Sequence, residues 1–294
     1  MLGRALGRNR GEIVLMIAFS LALRCQAFAY TLLPLVTEDA RTLPSGTAEA
    51  VLGTTYSKDG RFPPFTPAGA LRSQTLIQIP QMGFRIAAGD WAEIQASFEL
   101  ISLDETDANG QTNRKYGPGD ARLFTKVRLL RERDIWPALG VRFGTKLPNA
   151  KRDDRLGTDD TDFEIDGLIS KDFGPFAAHV NLGLLLLGNS GSTLGNKFTA
   201  GGQDDLVDYA VGIVSRPFGA PQAGGMTLRL LGEVAGQDAT HFDNERSSAR
   251  GGIQLARGPG MLCLGLSAGL ITASENFGAT ISFVYTFEPA KLLQ

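Results

Sequence analysis

The side chains of this sequence that could do chemistry are charged ones at alternate positions. Arg122, Lys126 and Arg128 share a parity with Asp120 and Phe124, while Ala121, Leu123, Thr125, Val127 and Leu129 take the other. Arg142 and Lys146 follow on the face of Ala138, Gly140 and Gly144, opposite Leu139, Val141, Phe143 and Leu147. Asp162, Glu164 and Asp166 alternate with Phe163 and Ile165, and His179 and Asn181 alternate with Ala178, Val180, Leu182, Leu184 and Leu186. Arg85, Glu93 and Glu99 upstream obey the same rule, as do Arg229, Glu233 and Arg250 downstream. Charges sorted by segment into basic, basic and acidic can line an aqueous path and set its field. They can also neutralise one another between neighbouring strands and fill a narrow interior. For most of these residues taken singly, neutralisation is the expected role.

Other chemistries find less support. A serine hydrolase needs a base beside its weak hydroxyl nucleophile, with a third group to orient that base. His179 and His241 are the two histidines, and no Gly-x-Ser-x-Gly surrounds a nucleophile. His179 lies on the polar face of its strand and His241 in the polar loop 237–244. The reading is therefore not an enzyme. Asp153, Asp154, Asp159, Asp160 and Asp162 make an acidic loop, but calcium wants six to eight oxygens in defined geometry and these spacings match no such loop. Gly188 and Gly191 come without a phosphate-loop lysine. No metal and no cofactor is expected.

These residues have to be held by strands. Side chains alternate faces along a strand, so each segment has one apolar and one charged face. The segments are about as long as a tilted membrane strand, roughly 9–11 residues. A polar interior and apolar exterior on alternate residues is the pattern of a transmembrane barrel, and such strands satisfy their backbone groups only when the sheet closes. Connections keep a rhythm: 131–135 and 172–175 are short, whereas 148–158 and 188–203 are long and polar. Short turns at one end and long loops at the other are the outer-membrane habit.

The expected order of the chain follows. Residues 1–29 read as a cleaved signal peptide: Arg4, Arg8 and Arg10, an apolar run from Ile13 to Leu23, and Ala27-Phe28-Ala29 as the cleavage site. Residues 30–46 read as a lead-in or an interior plug. Residues 47–287 read as the barrel, with about twelve strands, and 288–294 as a tail. Pro80 places an irregularity in the second strand, and the polar stretch 104–119 reads as a loop. At 294 residues with a net charge of -2 and no basic tract, the chain points away from nucleic acid. The last strand alternates Phe277, Ala279, Ile281, Phe283, Tyr285 and Phe287. It resembles the terminal signature that the barrel-assembly machinery reads.

Several motifs carry a further resemblance. They are the strand-turn-strand unit Phe84 to Glu93, Gly119-Asp120 opening a basic strand through Lys126, Pro137-Ala138-Leu139, Gly144-Thr145-Lys146-Leu147-Pro148, and Gly157-Thr158 before Asp162-Phe163. Over residues 72–187 the chain resembles the outer-membrane family named after the meta-pathway of phenol degradation. Asn149-Ala150-Lys151 stands where that family commonly has a Thr-Gly pair. The resemblance implies an outer-membrane barrel acting as a channel or transporter, with no catalytic residues to carry over. The expectation is an all-β, antiparallel up-and-down barrel in the outer membrane of a Gram-negative bacterium. Its partners are the membrane lipid, the assembly machinery and an unidentified small molecule, aromatic or hydrophobic ones included, that crosses passively. A barrel with a closed lumen is the first alternative and a membrane-embedded hydrolase the second.

Overall fold

A computed structural model describes residues 31–60, 71–150, 154, 156–157, 160–188, 205–219, 225–239, 245–272 and 274–292. The stretch read as a signal, the prolines of 61–70, His241, Asp153 and Asp159 lie outside these residues.

Among the described residues thirteen strands form a single antiparallel sheet. They are β1 (Ala48–Lys58), β2 (Ser73–Ala88), β3 (Ala92–Thr106), β4 (Thr112–Pro118), β5 (Ala121–Leu130), β6 (Ala138–Leu147) and β7 (Asp162–Asp172). There follow β8 (Phe176–Leu186), β9 (Asp205–Ser215), β10 (Thr227–Ala239), β11 (Arg246–Arg257), β12 (Gly260–Gly269) and β13 (Phe277–Phe287), then one helical turn, α1 (Pro289–Leu292). Each strand pairs with its sequence neighbours except β4 and β5, which both pair with β3, and β1 pairs with β13 from Ala48↔Phe287 to Lys58↔Phe277. The sheet is therefore a closed cylinder.

Twelve positions run round that cylinder, because β4 and β5 share one. β5 pairs with β3 from Ala92↔Val127 to Ser97↔Arg122, and β4 takes over from Leu100↔Pro118 to Thr106↔Thr112. Between them the β4–β5 side carries one extra residue at Gly119-Asp120, which is a β-bulge. The stretch 104–119, read as a loop from its polarity, is thus a hairpin that lengthens the wall. Its polarity reflects exposure, since most of β4 is open to solvent. The irregularity at Pro80 is present: the register of β2 slips between Gln78 and Gln81 against β3, and between Gly53 and Thr55 of β1. Proline has no N–H to give the ladder.

The burial pattern is inside out for a water-soluble protein. Leu182, Leu266, Phe163 and Leu52 are 57–62% exposed, in company with Ile281, Phe283, Leu184 and Val211. Lys126, Glu93 and Glu49 are 0% exposed. An apolar band of this extent round a closed sheet is stable against lipid, not against water. At one end the turns are tight, with Gly89 at φ 75 and Gly258 at φ 57. At the other the connections 148–161 and 187–204 are long, and at the short-turn end 216–226 is the longest connection.

Leu182 sits near the middle of β8 on the lipid face. Leu182→Arg should therefore destabilise the barrel by about 2–4 kcal/mol. Urea titration of the protein folded into phospholipid vesicles measures this.

Candidate functional site

Residues 31–46 have no sheet partner, so their backbone groups need side chains to satisfy them. They obtain them from the inner wall, strand after strand. On β11, Gln254 Nε2 donates to the carbonyls of Thr31 (3.1 Å) and Leu33 (2.8 Å). On β10, Glu233 accepts from the N–H groups of Val36 and Thr37 (2.9 Å each) and from Thr37 Oγ1 (2.5 Å). On β8, Asn181 Oδ1 accepts from Glu38 N (2.6 Å), and its Nδ2 donates to the Glu38 carbonyl (2.9 Å). On β7, Ser170 Oγ accepts from Ala40 N (2.9 Å). On β3, Glu93 accepts from Leu43 N (2.8 Å). The segment is a hoop laid round the inside of the barrel towards the short-turn end.

Shape supports the same track. Leu32 and Leu35 pack on Val214 and Leu231, Leu33 on Met261, Cys263 and Val284, and Ala40 on Ala138 and Leu168. The wall thins to glycine beneath the hoop. A Cβ on Gly252 would lie 2.6 Å from Pro34 Cγ, and one on Gly265 would lie closer still. A Cβ on Gly212 would lie 3.0 Å from Thr37 Oγ1, and one on Gly140 would lie 3.0 Å from the Ala40 carbonyl.

The charges read from the sequence divide into groups. Around the hoop, Glu38 meets Arg85 (2.7 Å), Lys126 (3.3 Å) and Arg142 (3.9 Å). Lys126 also bonds Glu93 (2.9 Å), with both side chains at 0% exposure. Arg142 continues to Asp166 (2.7 Å) and Glu164, and its guanidinium lies 4.4 Å from the centre of the Phe124 ring. Nearer the long loops, Lys146 bridges Asp162 (2.6 Å) and Asp120 (3.5 Å), and Asp120 accepts from the N–H groups of Asn149 and Ala150. Glu99 accepts from Gln78 (2.6 Å).

The remaining positions differ in surroundings. Arg122 keeps the inward parity of Phe124 and Lys126 yet is exposed, so it faces water in the mouth. Arg128 is drawn to the short-turn rim, where it donates to the Asp90 carbonyl and stacks on Trp91 at 5.2 Å. Arg250 is 3.7 Å from Glu233, and Arg229 is half-buried on β10.

His179 is 1% exposed. Its Nδ1 lies 2.8 Å from Ser170 Oγ and 4.0 Å from Asp39 Oδ1. Serine, histidine and aspartate meet here, but serine and acid address the same ring nitrogen. A hydrolytic triad places them on opposite nitrogens. The trio holds the hoop in place, since Ser170 also receives Ala40 N and Asp39 bonds Arg41 (2.8 Å). Among the described residues no group of three His, Cys, Asp or Glu side chains is arranged to hold a metal ion.

Sequence reasoning did not reach Glu38, Ser170, Gln254 or the glycines as parts of one site. Their partners are up to 223 residues apart along the chain. The pair Glu38-Asp39 inside an otherwise weakly charged lead-in was the signal available.

Together the fold and its interior define a transmembrane β-barrel with its own N-terminal segment wound inside it. Among solved structures the chain is similar to the COG4313 outer membrane channel from Pseudomonas putida F1, with a TM-score of 0.60 and 16% identity, covering 85% of this chain and 98% of that one. It is also similar to the translocator domain of the autotransporter NalP from Neisseria meningitidis, with a TM-score of 0.49 and 10% identity, covering 94% of this chain and 98% of that one. No family model and no curated protein matches the sequence. The first likeness is one of fold: the chain has the architecture of the outer-membrane barrels.

Two outcomes are expected. Lys126→Met leaves Glu93 a buried carboxylate without its cation and should cost about 3–5 kcal/mol in urea unfolding; adding Glu93→Gln should recover part of it. Gly265→Ala should dislodge Pro34 while leaving the barrel folded, because a Cβ there collides with the Pro34 ring and with no strand backbone. Hydrogen exchange of the hoop amides should then rise by about tenfold or more, with strand amides unchanged.

Proposed function

We propose that this protein is an outer-membrane channel or transporter of a Gram-negative bacterium, carrying a small molecule passively. The observation that supports this best is the inverted cylinder: an unbroken sheet, apolar outside, with ion pairs and the water-facing Arg122 inside. The fold likeness to a solved outer membrane channel agrees with it. The quoted motifs over 72–187 add the resemblance to the phenol-degradation family. On that reading small aromatic or hydrophobic compounds are the first solutes to try. The barrel-assembly machinery is the expected partner during insertion, and the inward charges serve the passage and not a reaction.

A second reading, a closed barrel, is favoured by one specific feature. The hoop packs Leu32, Leu35, Ala40 and Leu43, all nearly fully buried, round the inside of the short-turn end, where they narrow the lumen. The two readings separate by experiment. In planar bilayers the full protein should give small or infrequent conductance steps, and deletion of 31–43 should enlarge them several-fold. Sealed bilayers with both forms, after insertion is confirmed by the mobility shift between unboiled and boiled protein in detergent gels, would leave the closed barrel as the answer.

A further inference from the structure

Glu49 on β1 is 0% exposed, and neither of its carboxylate oxygens has a hydrogen-bond partner. A buried carboxylate left so is costly and calls for an explanation. The register supplies one. Glu49 stands directly opposite Arg85 of β2, and directly opposed residues share a face with Cβ atoms about 4.5–5.5 Å apart. Arg85 is its natural partner, yet the guanidinium is turned to Glu38 of the hoop at 2.7 Å.

Counting charges makes the same point. The wall beside the hoop holds Arg85 and Lys126, together with Glu49 and Glu93. Lys126 already bonds Glu93. Arg85 and Glu49 would complete a wall neutral in itself. Glu38 enters as a surplus carboxylate and takes the arginine. Arg142, its third cation, is at 3.9 Å and already committed to Asp166 and Glu164.

We propose that Arg85 is a two-position latch: it holds the hoop through Glu38, and on release of the hoop it passes to Glu49. Glu49 thus stabilises the released state, and Glu38 the seated one. The two carboxylates have the same chemistry and flank the same arginine, but they bias the hoop in opposite directions. Binding by one state alone is what shifts such an equilibrium. The latch rests on the position of the hoop and not on conductance, so a silent bilayer would overturn the channel reading and leave the latch standing.

Trypsin reads the released fraction. Arg41 lies in the hoop between the buried Ala40 and Thr42, its side chain bonding Asp39 and reaching towards Glu132 at the short-turn rim, and trypsin needs the buried main chain on either side drawn out before it can bind. Cleavage after Arg41, followed by mass spectrometry as a new N-terminus at Thr42, requires the hoop to leave. Its rate tracks the open population when opening is fast. With the full protein in detergent micelles, Glu38→Gln should speed this cut by about tenfold and Glu49→Gln should slow it by a similar factor, as expected for one charge-assisted hydrogen bond in each state. In an Arg85→Gln background, Glu49→Gln should change nothing.

Each variant is first checked for the unboiled gel mobility of a folded barrel. If Glu49→Gln does not fold, Glu49→Met takes its place with the same sign, because a thioether of similar length cannot accept the charge-assisted hydrogen bond of Arg85. A Glu49 variant that speeds the cut, leaves it within about twofold, or slows it equally without Arg85 overturns the latch.

Discussion

The pairing of the first strand with the last governs everything else in this molecule. In hydrocarbon there is no water to receive an open ladder, and each unsatisfied N–H or C=O costs several kcal/mol. The ladder between β1 and β13 runs the full length of both strands. With it made, the outer face is free to carry leucine and phenylalanine at every second position. The departures from regular pairing at Pro80 and Gly119-Asp120 are accommodated because the strands on either side re-pair within a few residues.

Closure creates an interior that must be filled. Eight-stranded barrels are filled by side chains, but the diameter grows with strand number. Here the filling is of two kinds. Towards the long loops, side chains answer one another across the wall, as Lys146 does with Asp162. Loop residues join them: Ala150 and Leu156 pack on Ile101 and Leu103. Towards the short turns a piece of main chain takes the space, and the wall makes way for it with glycine and offers it carboxylate, amide and hydroxyl groups. Burial there is dry enough that Lys126 and Glu93 have no exposed surface. Removing one member of such a pair is far more disruptive than replacing both.

Much of the barrel was legible because its rule is local. Period-two alternation from Asp120 to Leu186 fixes which side chains point inward without knowing which strands pair. The neutralisation of basic β5 and β6 by acidic β7 then follows from adjacency, and Lys146 with Asp162 and Arg142 with Asp166 are direct register partners. Where local polarity has two causes, the reading fails. Residues 104–119 are polar because the hairpin stands clear of the membrane, not because it lacks structure. Arg128 has the inward parity, but Trp91 and the Asp90 carbonyl at the rim draw its guanidinium away. The hoop has no periodicity of its own. Its conformation is written in Gln254, Glu233, Asn181 and Ser170, and no local rule links those positions to residues 31–43.

The hoop is joined to β1 by a few residues, Pro44 to Thr47, with Thr47 N bonded to the Pro44 carbonyl. It is therefore an intramolecular ligand, and a short tether gives such a ligand an effective concentration in the millimolar range. Any molecule competing for the same wall from the short-turn end meets that local excess and not the bulk. Excursions of the segment are consequently self-limiting: each departure is answered by recapture before a dilute competitor arrives.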